Sequence, residues 1–367
     1  MNAGTRLRSD RENHFSEFTI LFAKDKIYIG NEPLLLGHIT TEVLNYPDEN
    51  LLALRQNSSN FLKFMHERFY SPHTKKDLTL ASATQVEFNK LLNIIFAMPL
   101  FNQLNIDKDR ALHFLPRLCV EAPDIFKQST IEGTMEYKGF LEYITKHITL
   151  ADELSSFKAY VTAMLDIYFE HLKLRNDEHY AVGFYRFLTD TSAQQMIAKS
   201  LPQTPFAVFR QARPALIEYT TLPNPEKPKQ FMIGEQVIFH SYISFLHVDL
   251  FRGLMSGNAP RRCHNCGNYF LSSGGYDVVY CNRIAPGETE KTCRKVGAHR
   301  KASQKAQASP IKKMYNKVYN RLKQRHLRGK ISRDEWNSAV AKTLEYKEQA
   351  ERGELTDQQL KEIYDRV

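Results

Sequence analysis

Four of the five cysteines fall in one short stretch, spaced C-x2-C-x14-C-x11-C, and no other feature limits the fold of this chain so tightly. Four thiolates match the tetrahedral coordination of Zn(II), whereas a reducing compartment disfavours bridging them as disulfides. One structural Zn(II) on Cys263, Cys266, Cys281 and Cys293 is therefore expected, with a disulfide framework or an iron–sulfur cluster as the alternatives. Four thiolates fill the tetrahedron and leave no position for water, so the metal should contribute folding energy and not chemistry. Cys119 stands apart, among Phe114, Leu115, Leu118 and Val120, and reads as a buried inert thiol.

The residues around the cysteines say how such a site is built. Cys263-His264-Asn265-Cys266-Gly267 is a knuckle sequence: two residues between thiolates make a tight turn, and Gly267 can take a backbone conformation closed to other residues. Tyr269-Phe270-Leu271 then reads as a strand, Val278-Val279-Tyr280 as its partner, and Ser272-Ser273-Gly274-Gly275 as the turn between them. Thr292 is a candidate N-cap for a helix from Arg294 to Gln307, which would bring in Cys293. Knuckle, hairpin and a helix carrying the last thiolate is the order of a treble-clef-like finger. His264 and His299 are substitute ligands on paper, but the four thiolates leave them no vacant place.

Charge is concentrated in the same region. Residues 261–330 hold 17 Lys or Arg against 3 Asp or Glu, a charge of +14, which leaves the rest of a chain of net charge +9 at −5. An acidic body beside one basic segment points to a polyanion partner for that segment. Along the helix from Ile311 to Arg328, Ile311, Tyr315, Val318 and Leu322 form one face, and Lys313, Lys317, Arg321, Arg325 and Arg328 form another. The tail then repeats itself. Ile331-Ser332 with Glu335-Trp336, and Leu355-Thr356 with Gln359-Leu360, are two capping boxes, each with a hydrophobic staple. A helical hairpin of residues 311–328 and 333–352 follows from this pattern.

Ahead of the cysteines the chain reads as mostly α (α+β): a helical N-terminal domain with small β-hairpins. Phe18–Phe22 and Ile27–Ile29 form one hairpin, and Ile217–Tyr219 with Gln230–Ile233 form a second. Helical spacing governs Phe61, Phe64, Met65 and Phe69, and again Phe157, Val161, Met164, Leu165, Tyr168 and Leu172. Pro99, Pro116, Pro123, Pro202, Pro205 and Pro214 divide the region into short helices. A helix from Val237 to Met255 should stop at Ser256-Gly257-Asn258-Ala259-Pro260. The expected organisation is an α+β domain over 1–236, a connecting helix over 237–260, a four-cysteine finger over 261–308 and a helical tail over 309–367.

Several classes are disfavoured by the sequence. Leu91–Phe101 is about half of the roughly 20 apolar residues that span a bilayer and contains Asn93 and Pro99, so it reads as core and no membrane partner is expected. No apolar stretch follows the first charged residues, so a cytoplasmic location is expected. No phosphate loop, His-Glu-x-x-His or Gly-x-Ser-x-Gly is found, and histidines such as His66, His147, His171 and His240 are scattered, so nothing argues for an enzyme.

Cys263-His264-Asn265-Cys266-Gly267-Asn268-Tyr269-Phe270, Tyr280-Cys281-Asn282-Arg283, Thr292-Cys293-Arg294, Gly297-Ala298 and the capping turns together resemble the C-terminal half of an uncharacterised bacterial family of unknown function. The resemblance implies a zinc-bearing fold and supplies no activity. More distantly, the region is similar to regulators with a Cys-Gly-Asn-Arg zinc finger, although Cys281-Asn282-Arg283 lacks the glycine. The functional expectation is a nucleic-acid-binding protein, DNA ahead of RNA, acting as a regulator or mobile-element accessory factor. Arg261, Arg262, Arg294, Lys295, Arg300, Lys301, Lys313, Lys317, Arg321 and Arg325 would meet phosphates, and the N-terminal domain would engage a protein partner. Two rivals stand beside it: an RNA module that stacks bases on Tyr269, Phe270, Tyr276 or Tyr280, and a zinc-held protein-interaction scaffold.

Overall fold

A computed structural model describes residues 13–29, 32–104, 106–192, 195, 216–224, 227–273, 278–307 and 310–367. Gly274, Gly275, Tyr276, Pro202, Pro205 and Pro214, used above, lie outside these residues. The chain divides into two compact units, one of residues 1–263 with 267–279, the other of 264–266 with 280–367.

The first unit is built on a five-stranded antiparallel sheet: β1 (Phe18–Ala23), β2 (Lys26–Ile29), β3 (Glu32–Leu35), β4 (Leu216–Asn224) and β5 (Lys227–Phe239), in the order β3-β2-β1-β5-β4. Both expected hairpins are present as β1–β2 and β4–β5. They are joined by a pairing between distant segments, with Phe18 opposite Phe239 and Ile20 opposite Val237. Val237–Phe239, expected to open a helix, therefore belong to β5. Val237, Ile238 and Phe239 are all buried, as in a central strand covered on both faces, and Phe239 packs on Phe18 and Phe245 with ring centroids 5.8 and 5.4 Å apart.

The rest of the unit is helical, with α1 (His38–Leu44), α2 (Asp48–Phe64), α3 (Leu78–Phe96), α4 (Lys108–Leu112), α5 (Phe114–Glu121), α6 (Pro123–Gln128), α7 (Met135–Ile148), α8 (Leu150–Ala163), α9 (Asp177–Thr189) and α10 (Tyr242–Met255), and one hydrophobic core joins the sheet to these helices. Two helical runs predicted from spacing pass through wider π-helical turns, Met65–Phe69 after α2 and Met164–Phe169 after α8. Phe61, Met65 and Phe69 are buried, as are Phe157, Val161, Met164 and Leu165. Leu91 to Phe101 supplies core, and among the described residues no helix is long and apolar enough to cross a membrane. Helix α10 starts after Ser241, whose hydroxyl accepts the Ser244 amide, and its Asp249 reaches across to the start of α1. After α10 the chain does not simply end a domain. Gly257, at φ +77°, turns it into β6 (Asn258–Arg262), which pairs antiparallel with β7 (Tyr269–Ser273).

Two histidines are buried in this core, His147 and His247, and burial pushes each imidazole pKa down to about 4. In the unfolded chain both return to about 6.5. Above that pH neither state binds a proton. Between pH 6.5 and 4 the unfolded chain takes up protons that the fold refuses, so stability falls as pH falls, by about 3 kcal/mol for each histidine by pH 4. Urea midpoints are expected to drop from pH 7 to pH 4.5, and less steeply in His147→Phe. A His147→Phe profile parallel to that of the unmodified protein would contradict this.

The second unit contains α11 (Cys293–Gln307), α12 (Pro310–Leu327), α13 (Arg333–Glu351) and α14 (Asp357–Arg366). Both capping boxes form, Ser332 with Glu335 and Thr356 with Gln359. The expected hairpin gains a third helix. Val318 and Leu322 of α12, Ala350 of α13, and Leu360 and Tyr364 of α14 make one small core, with Ile331, Trp336 and Leu355 packed against it.

Candidate metal centre and basic helices

The C-x2-C pair sits at the tip of the β6–β7 hairpin. The Cys263 amide donates to the Asn268 carbonyl at 2.9 Å and the Gly267 amide to the Cys263 carbonyl at 2.9 Å, and Gly267 has φ +76°, a conformation costly for any residue with a Cβ. The strand from Tyr269 thus pairs backwards, with residues 258–262, and not forwards with 278–280 as its sequence suggested. Val278–Tyr280 are in no strand. The third and fourth cysteines are fixed by a different loop. The Ala285 amide bonds the Lys291 carbonyl at 2.9 Å, Cys293 bonds Arg283 at 2.8 Å and Arg294 bonds Cys281 at 3.1 Å, so Cys281 and Cys293 are drawn together across it. Thr292 caps α11 as expected, its hydroxyl accepting the Lys295 amide at 3.3 Å.

Cys263, Cys266, Cys281 and Cys293 each offer a sulfur, and the four lie within 4.8 Å of one another; all but Cys266 are buried. The Cys266 and Cys281 sulfurs are 3.7 Å apart. A disulfide needs about 2.05 Å. Two thiolates on one tetrahedral zinc, each about 2.3 Å from the metal, lie about 3.8 Å apart. The spacing therefore fits a shared metal ion. The Asn265 side-chain amide donates to the Cys293 sulfur at 3.4 Å, the kind of outer contact that stabilises a thiolate. His264 and His299 are exposed and outside the cluster. Cys119 is half-buried against the first unit's core, and its surroundings push the thiol pKa up, burial first and Asp77 second.

Gly297 brings α11 down onto Tyr280: a Cβ there would lie 2.4 Å from the Tyr280 ring. Tyr280 is thereby wedged beneath the helix, with His264 edge-on at 6.2 Å. Tyr269 is buried, its hydroxyl donating to Asp166 at 3.0 Å. Two of the four aromatics offered for base stacking are thus taken up by packing, and Tyr276 lies outside the described residues.

The ten expected phosphate contacts separate into three groups. Arg261 is 4% exposed and pairs with Glu170 at 3.0 Å, while Arg262 pairs with Asp166 at 2.7 Å and lies over the Tyr269 ring. Both arginines tie β6 to the end of the helical run after α8: Arg261 is buried there and withdrawn from the surface, whereas Arg262 stays exposed with its charge paired. Arg321 donates to the Tyr364 carbonyl, and Arg325 to the Val367 carbonyl at 3.0 Å, which ties α12 to the end of α14. The remaining six, Arg294, Lys295, Arg300, Lys301, Lys313 and Lys317, are exposed on α11 and α12. No Asp or Glu occurs from Lys291 to Arg333. Sequence reasoning missed Asp166 and Glu170 because each lies more than ninety residues before its arginine.

Residues 210–366 match a family model described as Family of unknown function (DUF6076). No curated protein and no solved structure matches the chain.

Proposed function

We propose that the four cysteines hold one structural Zn(II) and that the helices beginning at this centre present cations to a nucleic acid, duplex DNA ahead of RNA. The observation that carries the reading is α11: Arg294, Lys295, Arg300 and Lys301 are exposed on a helix that contains no acidic residue and starts at a metal ligand. A zinc ion with four thiolates has a local charge of about −2, which offsets the two cations nearest to it, Arg294 and Lys295. Arg300 and Lys301, two turns further on, together with Lys313 and Lys317, supply the attraction. The burial of Tyr269 and the wedging of Tyr280 argue against base stacking and hence for a backbone-directed mode.

With about four phosphates neutralised, log K should fall against log salt with a slope of about −3.6, close to 10²-fold between 50 and 200 mM. Fluorescence anisotropy with a labelled duplex measures this directly. Arg300→Glu with Lys301→Glu is expected to weaken binding by more than tenfold while bound zinc stays at one equivalent. An affinity for duplex DNA that does not change with salt would sink the proposal.

A further inference from the structure

Among the described residues of the first unit, a cavity of about 430 Å³ lies between α3, α5 and α7. That is within the size range of small-molecule sites. Leu92 and Phe96 of α3, Phe114 and Leu118 of α5, and Phe140 of α7 line it, with Asp107, Arg110 and Glu136 among its other lining residues, so most of an occupant's body meets apolar side chains. His147, in the last turn of α7, lines the same cavity and is 0% exposed. Phe15, Tyr143 and Phe88 hold its ring in place, with centroids 4.3, 4.7 and 5.0 Å away.

The hydrogen bonding of His147 defines what is missing. Its Nδ1 is 2.8 Å from the Tyr143 carbonyl oxygen. A carbonyl only accepts, so Nδ1 carries the proton, and in a neutral ring Nε2 is then a lone pair. Nε2 has no hydrogen-bond partner in the protein. A buried acceptor left in that condition costs about 1 to 3 kcal/mol. A donor arriving from the cavity would recover that cost, and because Nε2 is fully covered, a side chain beside it must shift to admit the donor. A ligand carboxylate or ketone would instead set a second acceptor against it.

We infer that this cavity binds a small neutral molecule, largely apolar and large enough to fill a bicyclic outline, that carries a hydroxyl or N–H and donates it to Nε2 of His147. The site is independent of the metal centre and of the nucleic-acid reading. The Tyr143 carbonyl acts as the positioning group, because it fixes the tautomer.

Calorimetry on the full, metal-loaded chain with indole and benzofuran tests this. The two share one bicyclic outline, but indole offers an N–H where benzofuran has an oxygen acceptor. Indole is expected to bind at least tenfold more tightly than benzofuran. In His147→Phe, which keeps a ring in the packed position, indole should fall to the affinity of benzofuran. Equal affinity of the two for the unmodified protein, or binding of neither at millimolar concentration, overturns the inference, and both results are read without the variant.

Discussion

Stripping the metal with a strong chelator is expected to release one equivalent of zinc and to unfold the segment between the knuckle and the start of α11. The loop from Cys281 to Cys293 is held by a few backbone hydrogen bonds and buries only Cys281, Ala285 and Cys293, too little to fold without the ion. Structural zinc sites of this type contribute about 10 to 16 kcal/mol at neutral pH, far more than any other single interaction in the chain. Cys281→Ser or Cys293→Ser should likewise abolish stoichiometric zinc, measured by elemental analysis, and should expose the loop to protease. Cys119→Ser should leave the zinc content at one equivalent. The helical signal of α12 to α14 is expected to survive chelation, because Val318, Leu322, Leu360 and Tyr364 form their own core. A protein that contains no metal when purified and resists protease equally with and without chelator would refute the structural-zinc reading.

Asp249→Ala should cause the largest loss from a single substitution in the first unit. The carboxylate is fully buried on α10 and accepts from the Gly37 amide at 2.7 Å, the Thr40 amide at 2.7 Å and the Thr40 hydroxyl at 2.8 Å. Gly37 precedes α1 at φ +86° and has no side chain to cap the helix, so a residue 212 positions away performs that task. Burial pushes the Asp249 carboxyl above the usual carboxylate range, against the pull of the donors from Thr40 and Gly37. Removing it orphans the buried Gly37 and Thr40 amides and leaves the Thr40 hydroxyl only its longer bond to the Leu246 carbonyl at 3.3 Å, a loss of about 3 to 5 kcal/mol in urea unfolding. Asp249→Asn keeps the shape and one acceptor oxygen, so about half of that loss is expected. Equal stability of the alanine variant and the unmodified protein would show that α1 does not depend on this cap.

What could be read from the sequence was what neighbours decide. The β1–β2 and β4–β5 hairpins, the capping boxes at Ser332 and Thr356, and the apolar face of α12 each depend on residues within a few positions of one another, and each is present. The approach of the four sulfurs followed from spacing and coordination chemistry, which ask only for loops of workable length. The failures share the opposite cause. Phe239 looked helical because its strand partner is Phe18, at the other end of the first unit. Tyr269 was paired with the nearest apolar run, although the turn at Cys263 to Asn268 folds it back on Arg262. Arg261 reads as surface charge in the sequence because Glu170, which pairs with it in the interior, lies 91 residues earlier in the chain. Lys313, Lys317, Arg321 and Arg325 are all exposed, but Arg321 and Arg325 also bond carbonyls at the end of α14, a division that one helix pattern does not reveal.

The order of strands in the sheet also bears on how the chain could be taken apart. The segment shared with the uncharacterised family begins at residue 210 and includes β4 and β5, yet the strand beside β5 is β1, which lies far outside it. Cut there, β5 would keep one neighbour and present an open edge from Glu235 to Phe239, with Val237 and Phe239 laid bare to water. The boundary of the family match and the boundary of independent folding do not coincide in this protein. A piece able to stand alone has to carry Phe18–Ala23 with it, or be cut beyond the sheet altogether.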